Sequence, residues 1–206
     1  VGANIYKHAW SNQEGGQTGN KETRIAMRYG SNVYHESNID KWLNASGDNW
    51  FVASHIGDVL ASGYNGKKGF KDWFDEDDLA TIEDNVAYGV YERDAHTVTN
   101  NTIYRKFVLP SGTNLAGSVN ANEGNCFDYW KFLNGGVVKN DAKAERTITK
   151  INAKTSKQTC WLRSPNRSNA NNAWNLNNNG NINNNNACNA NGVAPDFTQI
   201  TQTCST

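Results

Sequence analysis

The sequence predicts an α+β fold in which two helices pack on short antiparallel strands, with much irregular loop structure. Aromatic residues make up 11% of the 206 residues and glycines number 18. Chains rich in aromatic and turn residues form short strands joined by long loops. Two stretches carry apolar residues at helical spacing, and others alternate. A chain of this length can bury one sizeable core, so we expect a single domain over residues 1–206.

The first helix is expected after Ser37, a residue type that commonly caps helix N-termini. Ile39, Trp42 and Leu43 follow at positions that share one helical face. Gly47 gives a stop signal, because glycine readily adopts the backbone conformation at which helices end. The spacing therefore predicts a helix that docks its tryptophan-bearing face on a sheet and ends at Gly47.

The second helix is signalled by four consecutive acids, Asp75 to Asp78, followed by Leu79, Ile82 and Val86 at helical spacing. A calcium site is the functional alternative, but the oxygen-ligand spacing of a calcium loop is missing. Acids also collect in the first turn of a helix, because the helix dipole favours negative charge there. We therefore interpret the acidic run as the start of a helix.

Strands are expected in two other regions. Residues 23–29 alternate, and residues 86–109 are typical of strands, with the apolar run Phe107 to Leu109 closed by Pro110. Residues 126–133 fit either a short helix or a strand.

The segment over residues 166–191 is dominated by asparagine, which fills more than half of its positions. A disordered low-complexity tract and an asparagine ladder in a repeating solenoid are two structural alternatives. Against disorder, Trp174, Leu176 and Ile182 punctuate the tract. Against a solenoid, no fixed period recurs along the chain. The segment is therefore expected to be an ordered part of the domain.

The apolar positions of this segment predict a β-hairpin and its register. Trp174 and Leu176 alternate with asparagine, and Gly180 precedes Ile182. A two-residue loop would put Leu176 and Ile182 on opposite faces of the hairpin. A loop over residues 178–180, with Gly180 in the left-handed conformation, pairs these two residues instead. We therefore expect Trp174, Leu176 and Ile182 to enter the core together.

The other face of the hairpin is predicted to carry Asn175, Asn177, Asn181 and Asn183 and to face solvent. Each carboxamide offers two donors and two acceptor lone pairs and carries no charge. Such a surface suits neutral hydrogen-bonding ligands and is poor for acid–base chemistry, because amides do not titrate. Since water would be their partner, the fold should not depend on these side chains.

Charge and hydropathy exclude two classes of partner. Twenty Lys and Arg residues balance twenty Asp and Glu residues, so the basic surface of a nucleic-acid or anionic-membrane binder is not expected. No apolar run approaches the roughly 20 residues that span a bilayer, and membrane insertion is not expected. The first residue is Val1 rather than methionine, which predicts a trimmed N-terminus.

The four cysteines, Cys126, Cys160, Cys188 and Cys204, are widely spaced. They include no C-x-x-C pair, so a zinc site is not expected. Free buried thiols and one or two disulfides both remain open.

Several segments together resemble a known family. The segment Trp161 to Pro165, followed by Trp174, Gly180 and Asn191 to Pro195, is similar to the C-terminus of variable proteins of diversity-generating retroelements. These are C-type-lectin-like ligand-binding proteins of bacteria and phages. Four further segments resemble a bacterial and phage branch with this ending: residues 28–32, 40–44, 69–70 and 107–111. The resemblance covers most of the chain and implies a C-type-lectin-like fold.

In that family, error-prone reverse transcription at template adenines substitutes asparagine codons, and selection on the altered surface finds ligands. The resemblance implies that Trp161, Arg163, Trp174, Gly180 and Gly192 belong to the scaffold. Replacing Trp174 by alanine should then cost roughly 3–5 kcal/mol. It also implies a diversifiable, ligand-binding set within residues 166–189: Asn166, Asn169, Asn171, Asn172, Asn175, Asn177, Asn178, Asn181, Asn183, Asn184, Asn185, Asn186 and Asn189.

These positions are nearly all still asparagine, so the chain fits a template-like or undiversified copy, or a relative outside the mutagenic system. The implied ligand is a protein or glycan on a host or neighbouring cell surface, met at an extracellular, cell-surface or virion location. A homo-oligomer is compatible with this reading. No cofactor and no metal are expected, because the calcium-binding tripeptides of animal lectins (Glu-Pro-Asn, Gln-Pro-Asp, Trp-Asn-Asp) are absent.

Two other functions compete with ligand binding. One is a structural role in decorating a phage virion or a cell surface, which gene neighbourhood would separate from a receptor. The other is an enzyme of the sulfatase-modifying oxidase type, which shares the C-type-lectin-like fold and uses a pair of cysteines. The C-terminal segment has no matching cysteine pair, so an enzyme is not expected. A histidine within hydrogen-bonding reach of Cys126 or Cys188 would favour catalysis.

Overall fold

The computed structural model confirms the α+β class. It has short helices, a five-stranded sheet and two small two-stranded sheets. It describes residues 7–9, 32–52, 66–93, 98–115, 119–120, 122–125, 148–149, 157–168, 172–187 and 189–200. The segments predicted over residues 23–29 and 126–133 lie outside these ranges.

The helical segments in these ranges are all short. They are two 3₁₀ turns, Tyr34–Glu36 and Phe70–Trp73, and two α-helices, α1 (Asn38–Leu43) and α2 (Glu76–Ala80). The strands are β1 (Lys7–Ala9), β2 (Val86–Arg93), β3 (Val98–Arg105), β4 (Ile148–Thr149), β5 (Lys157–Gln158), β6 (Cys160–Pro165), β7 (Asn172–Leu176), β8 (Ile182–Asn186) and β9 (Ala190–Gly192).

The main sheet has the strand order β1-β9-β6-β7-β8. Strands β6 and β9 run parallel, and the other neighbours in this sheet are antiparallel. The hairpin β2–β3 and the pair β4–β5 form the two small antiparallel sheets. Strands β6 and β7 are interior strands with a hydrogen-bonded neighbour on each side, whereas β8 lies at an edge.

Helix α1 begins where the sequence predicts. The Ser37 hydroxyl accepts a hydrogen bond from the backbone N–H of Asp40 at 3.1 Å, which caps the helix. Ile39, Trp42 and Leu43 are buried, as their shared face predicts. The N-cap and the buried face of this helix are therefore confirmed.

The predicted end of α1 at Gly47 is wrong, because the helix ends at Leu43. Asn44 follows, and its carboxamide pairs with the backbone of Phe107. The side-chain N–H donates to the Phe107 carbonyl at 2.9 Å, and the side-chain oxygen accepts from the Phe107 N–H at 3.1 Å. This tertiary pairing accompanies the end of the helix, four residues before the glycine. Gly47 does adopt a left-handed conformation, with φ at 73°.

Helix α2 confirms the helix-start interpretation of the acidic run. The Asp75 carboxylate accepts a hydrogen bond from the N–H of Asp78 at 2.7 Å and caps the helix. The helix is shorter than predicted and stops at Ala80. Ile82 is instead buried in an isolated bridge with Gln199, and the next strand begins at Val86. The helical spacing of these two residues therefore does not reflect a continued helix.

Aromatic rings fill the main core. The Phe70 ring centroid lies 5.2 Å from those of both Trp42 and Phe107, and Phe74 stacks on Phe107 at 5.2 Å. The run from Phe107 to Leu109 is fully buried, but the predicted strand there is wrong. Val108 pairs with Asp196 in an isolated bridge, with one hydrogen bond in each direction. Trp161 on β6 belongs to the same core cluster as these rings.

Candidate ligand-binding hairpin

The hairpin predicted in the asparagine-rich segment is confirmed in its register. Leu176 pairs with Ile182, and Trp174 pairs with Asn184. The loop covers residues 178–180, and Gly180 has a φ of 79°, as the three-residue loop requires. Strand β7 therefore runs into β8 with the pairing that period-two alternation indicated.

The turn of the hairpin is held by the side chain of Asn177. Its carbonyl oxygen accepts hydrogen bonds from the backbone N–H groups of Asn179, at 2.9 Å, and Asn181, at 3.0 Å. The N–H of Asn177 in turn donates to the Asn181 carbonyl at 2.9 Å. One carboxamide thus satisfies two donors of the loop, which is the local role that asparagine commonly takes in turns.

Replacing Asn177 by alanine is expected to lower the free energy of unfolding by about 1 kcal/mol, because two loop donors lose their acceptor. The matched control is Asn178→Ala in the same loop, where the side chain is exposed and a change within about 0.5 kcal/mol is expected. Urea unfolding followed by far-UV circular dichroism measures both. Equal effects at the two positions would contradict the role of Asn177.

The two faces of β7 both pack against protein. Trp174 and Leu176 face a small second cluster with Leu115, Leu162 and Ile182. The other face brings Ala173 into the main core. The prediction that Trp174, Leu176 and Ile182 enter the core together is therefore confirmed, although the cluster that they join is separate from the main core. Trp174 and Ile182 are only partly buried there.

The expectation that every candidate asparagine faces solvent is wrong for Asn166 and Asn175, which are 9% and 3% exposed. Asn175 shares a face with the other predicted outward positions, but on β7 this face also carries Ala173 and lies beside Trp161, which both belong to the main core. Asn169 and Asn171 lie outside the described residues. Among the remaining candidates, Asn178, Asn183 and Asn189 are exposed, and the following are half-buried: Asn172, Asn177, Asn181, Asn184, Asn185 and Asn186.

The expectation that these carboxamides bind only water is also wrong. Asn172 donates across the hairpin to the side-chain oxygen of Asn184 at 2.7 Å. Asn189 donates to the side-chain oxygen of Asn185 at 2.8 Å. The Asn166 side-chain oxygen accepts from the backbone N–H of its neighbour two positions on, at 3.0 Å. Part of the asparagine set therefore supports the fold.

A side chain outside the segment clamps the start of the hairpin. Asn32 donates its two amide hydrogens to the backbone carbonyls of Asn166, at 3.0 Å, and Asn172, at 2.7 Å. The N–H of Asn166 also donates to the Asn172 carbonyl at 3.0 Å. These bonds join the end of β6 to the start of β7. Asn32 lies in one of the segments that resemble the family. No local pattern around it predicts these hydrogen bonds.

Beneath the hairpin, the guanidinium of Arg163 on β6 is 1% exposed and bonds to three other segments. It donates to the carbonyls of Gly89 at 3.0 Å and Leu109 at 2.9 Å, and to the side-chain oxygen of Asn114 at 2.7 Å. A further N–H donates to the Glu123 carbonyl. Burial lowers the pKa of this arginine, and the nearby Glu123 carboxyl opposes that shift. The side chain therefore fastens β6 to β2 and to two loops.

Glu123 is the buried acid of this network and was not predicted from the sequence. It is 0% exposed, and its carboxylate accepts a hydrogen bond from the Ser164 hydroxyl on β6. Burial raises the pKa of Glu123 from 4.5 to about 7, although Ser164 and Arg163 act in the opposite direction. The loop around residue 123 is thus joined to β6 through a group that titrates near neutral pH.

This pKa shift makes stability depend on pH. Between pH 4.5 and about 7, folded Glu123 keeps a proton that the unfolded chain has released. The native state is therefore favoured at acid pH and loses stability as the pH rises through this window. The loss attributable to Glu123 should be on the order of 3 kcal/mol. Urea unfolding of the native chain and of Glu123→Gln across this pH range measures it, and parallel curves would contradict the assignment.

Gly192 on β9 lies against β6, the strand next to the hairpin. A Cβ atom at this position would lie 2.4 Å from the side-chain nitrogen of Gln158 and 2.9 Å from the sulfur of Cys160. A larger residue would therefore require the buried side chains of Gln158 and Cys160 to move. The Gly192 N–H donates to the Thr159 carbonyl at 2.8 Å. Trp161 and Arg163 are buried and Gly180 is left-handed, in agreement with a scaffold role.

The described residues include no group of three side chains that could hold a metal ion. Cys160 is a free, buried thiol, and burial raises its pKa to about 12. Cys126, Cys188 and Cys204 lie outside the described ranges. The expectation about a histidine near Cys126 or Cys188 therefore also falls outside them. No helix in the part of the chain that is described has the length and apolarity to cross a membrane.

Comparison with known proteins places the chain in a family. A search of curated proteins and a search of solved structures returned no significant match. A family model described as "Domain of unknown function (DUF6273)" matches residues 9–198. This range contains both core clusters and the whole hairpin. Since the match covers nearly the entire chain, the protein belongs to the DUF6273 family.

Proposed function

We propose that this protein is a ligand-binding protein that presents β8 and the preceding turn as its binding surface on a C-type-lectin-like scaffold. The observation that carries the proposal is the division within the hairpin. Strand β7 is an interior strand with protein on both faces, whereas every residue of the edge strand β8 is at least partly exposed. Side chains on β8 can therefore change while those of β7 hold the hairpin in place.

The chemistry of the proposed binding surface favours a neutral ligand. Asn178, Asn181 and Asn183 present uncharged carboxamides, which both donate and accept hydrogen bonds. The strand has no formal charge from Ile182 to Asn186. Proteins and glycans that offer hydroxyl and amide groups match such a surface. Larger side chains at these positions would add apolar contact area and act as anchors.

The buried network under the hairpin supports preorganisation. Arg163 and Asn32 fix β6 and the start of β7 through hydrogen bonds to backbone carbonyls. A surface that is already ordered loses less entropy when a ligand binds. The proposed C-type-lectin-like fold and the diversification of asparagine codons rest on the family resemblance in the sequence, with which the α+β architecture agrees. Sequences of sibling copies that vary only at these codons would support diversification.

A pair of display libraries tests the binding surface. The first varies Asn178, Asn181 and Asn183, and the control library varies three exposed positions elsewhere, Asp77, Glu83 and Thr102. Both are selected against one purified globular protein and one immobilised neutral oligosaccharide. We expect binders that enrich from the hairpin library at least about tenfold more than from the control. Equal enrichment, or a hairpin library that does not fold, would overturn the proposal.

A further inference from the structure

The outer edge of β8 is the feature that the proposed function leaves unused. In an antiparallel hairpin, residues alternate between pairs that exchange backbone hydrogen bonds and pairs that do not. Asn177 and Asn181 form a bonded pair at the turn. By alternation, Asn175 with Asn183 and Ala173 with Asn185 are bonded pairs. The backbone groups of Ile182, Asn184 and Asn186 therefore point away from β7, towards the edge.

Two of these outward N–H groups are capped by the side chain of the residue before them. The Asn183 side-chain oxygen accepts from the N–H of Asn184 at 2.8 Å. The Asn185 side-chain oxygen accepts from the N–H of Asn186 at 2.9 Å. Asparagine is the amide side chain short enough to close this small ring, and alanine lacks the acceptor. Two of the three outward N–H groups of β8 are thus occupied by side chains of the same strand.

The same arrangement recurs in a different sheet. Asn101 on β3 accepts from the N–H of Thr102 at 2.8 Å, and β3 is a strand of a two-stranded ribbon. Edge strands pair readily with other strands, and proteins usually prevent this with charges, proline or bulges. Strand β8 contains no charged residue and no proline, and its pairing with β7 has no register shift. Within the described ranges, the asparagine caps are the protection observed on this edge.

We propose that Asn183 and Asn185 keep the β8 edge closed, and that the partner this edge fits once they are replaced is the same edge of a second copy. An antiparallel two-fold arrangement centred on Asn184 pairs that residue with itself, Ile182 with Asn186, and Asn183 with Asn185. The absence of charge on β8 means that no like charges oppose each other in this pairing. Such a self-complementary contact closes after two copies.

Closure of the β8 edge does not depend on ligand binding by the hairpin. The candidate asparagines differ in their effect on self-association of the chain. Replacement at Asn183 and Asn185 changes the association of the chain with itself, whereas replacement at Asn178 and Asn181 leaves it unchanged. Any diversified copy would then need a cap, a charge or a proline at positions 183 and 185 to stay in the assembly state of the native chain.

Sedimentation velocity over a range of concentrations tests the proposal on the full chain. The double variant Asn183→Ala/Asn185→Ala removes both caps without adding apolar bulk. We expect its dimer dissociation constant to be at least about tenfold lower than that of the native chain. The variant Asn183→Asp/Asn185→Asp keeps the acceptors and adds charge, and it should associate no more than the native chain. The matched control Asn178→Ala/Asn181→Ala should also match the native chain.

Amide hydrogen exchange locates the contact. In dilute solution, the N–H groups of Asn184 and Asn186 should exchange faster in the uncapped variant, and they should become protected as its concentration rises. Unchanged self-association of the uncapped variant would overturn the proposal, and so would equal association in the Asn178/Asn181 control. Each single variant, Asn183→Ala and Asn185→Ala, is measured as well. If the double variant does not fold, single variants that associate no more than the native chain overturn it.

Discussion

Replacing Arg163 by alanine is expected to lower the free energy of unfolding by roughly 3–5 kcal/mol, a large part of the stability of a typical domain. The change removes the donor to the carbonyls of Gly89 and Leu109 and to the Asn114 side chain. These acceptors stay buried and lose their partner, which is more unfavourable than losing an exposed bond. It also removes the buried positive charge of the network and leaves a cavity beside β6. Urea unfolding at fixed pH measures the difference.

Two further arginine variants sharpen this prediction. Arg163→Lys keeps the charge, but it lacks the planar set of donors that reaches several carbonyls at once, so most of the loss should remain. Arg167→Ala is the matched control four residues on. Its guanidinium lies 4.8 Å from the Tyr91 ring, and its side chain is exposed. We expect a change of less than about 1 kcal/mol there. Similar losses at the two arginines would contradict the special role of Arg163.

Replacing Trp161 by alanine is expected to cost roughly 3–5 kcal/mol, because the side chain is fully buried in the main core. Trp174 is its matched control on the neighbouring strand. That ring is partly exposed and packs on the smaller cluster, so the structure lowers its expected loss to about 1–3 kcal/mol. Far-UV circular dichroism during urea unfolding compares the two without relying on tryptophan fluorescence. A greater loss at Trp174 would show that the second cluster carries more of the stability than its burial indicates.

The hairpin shows what local sequence could predict. Leu176 and Ile182 had to share a face, and Gly180 supplied the left-handed residue that this register needs. Both constraints act within seven residues, so a single sequence contains them. The cap of α1 at Ser37 was predictable for the same reason. In each case the residues that determine the local structure lie close to each other in the sequence.

The burial of Asn175 shows where prediction stopped. Asn175 pairs with Trp161 and shares a face of β7 with Ala173, and both of these residues belong to the main core. The alternation on β7 indicates which residues share a face, but it does not indicate that the asparagine face also packs against the protein. The joining of Glu123 to Ser164 likewise depends on two segments forty-one residues apart. No spacing rule relates such positions, so this part of the site required coordinates.

The order of strands in the main sheet bears on how the chain reaches its native state. Strand β1 pairs with β9, and Lys7 lies opposite Gly192, so these partners are about 180 residues apart. The pairing of β7 with β8 needs only a three-residue loop and can form within microseconds. The β1–β9 ladder must instead wait for the ends of a very long loop to meet, which slows folding in proteins dominated by distant contacts. During synthesis, β1 leaves the ribosome long before β9. It cannot pair until nearly all of the chain between these two strands has been made.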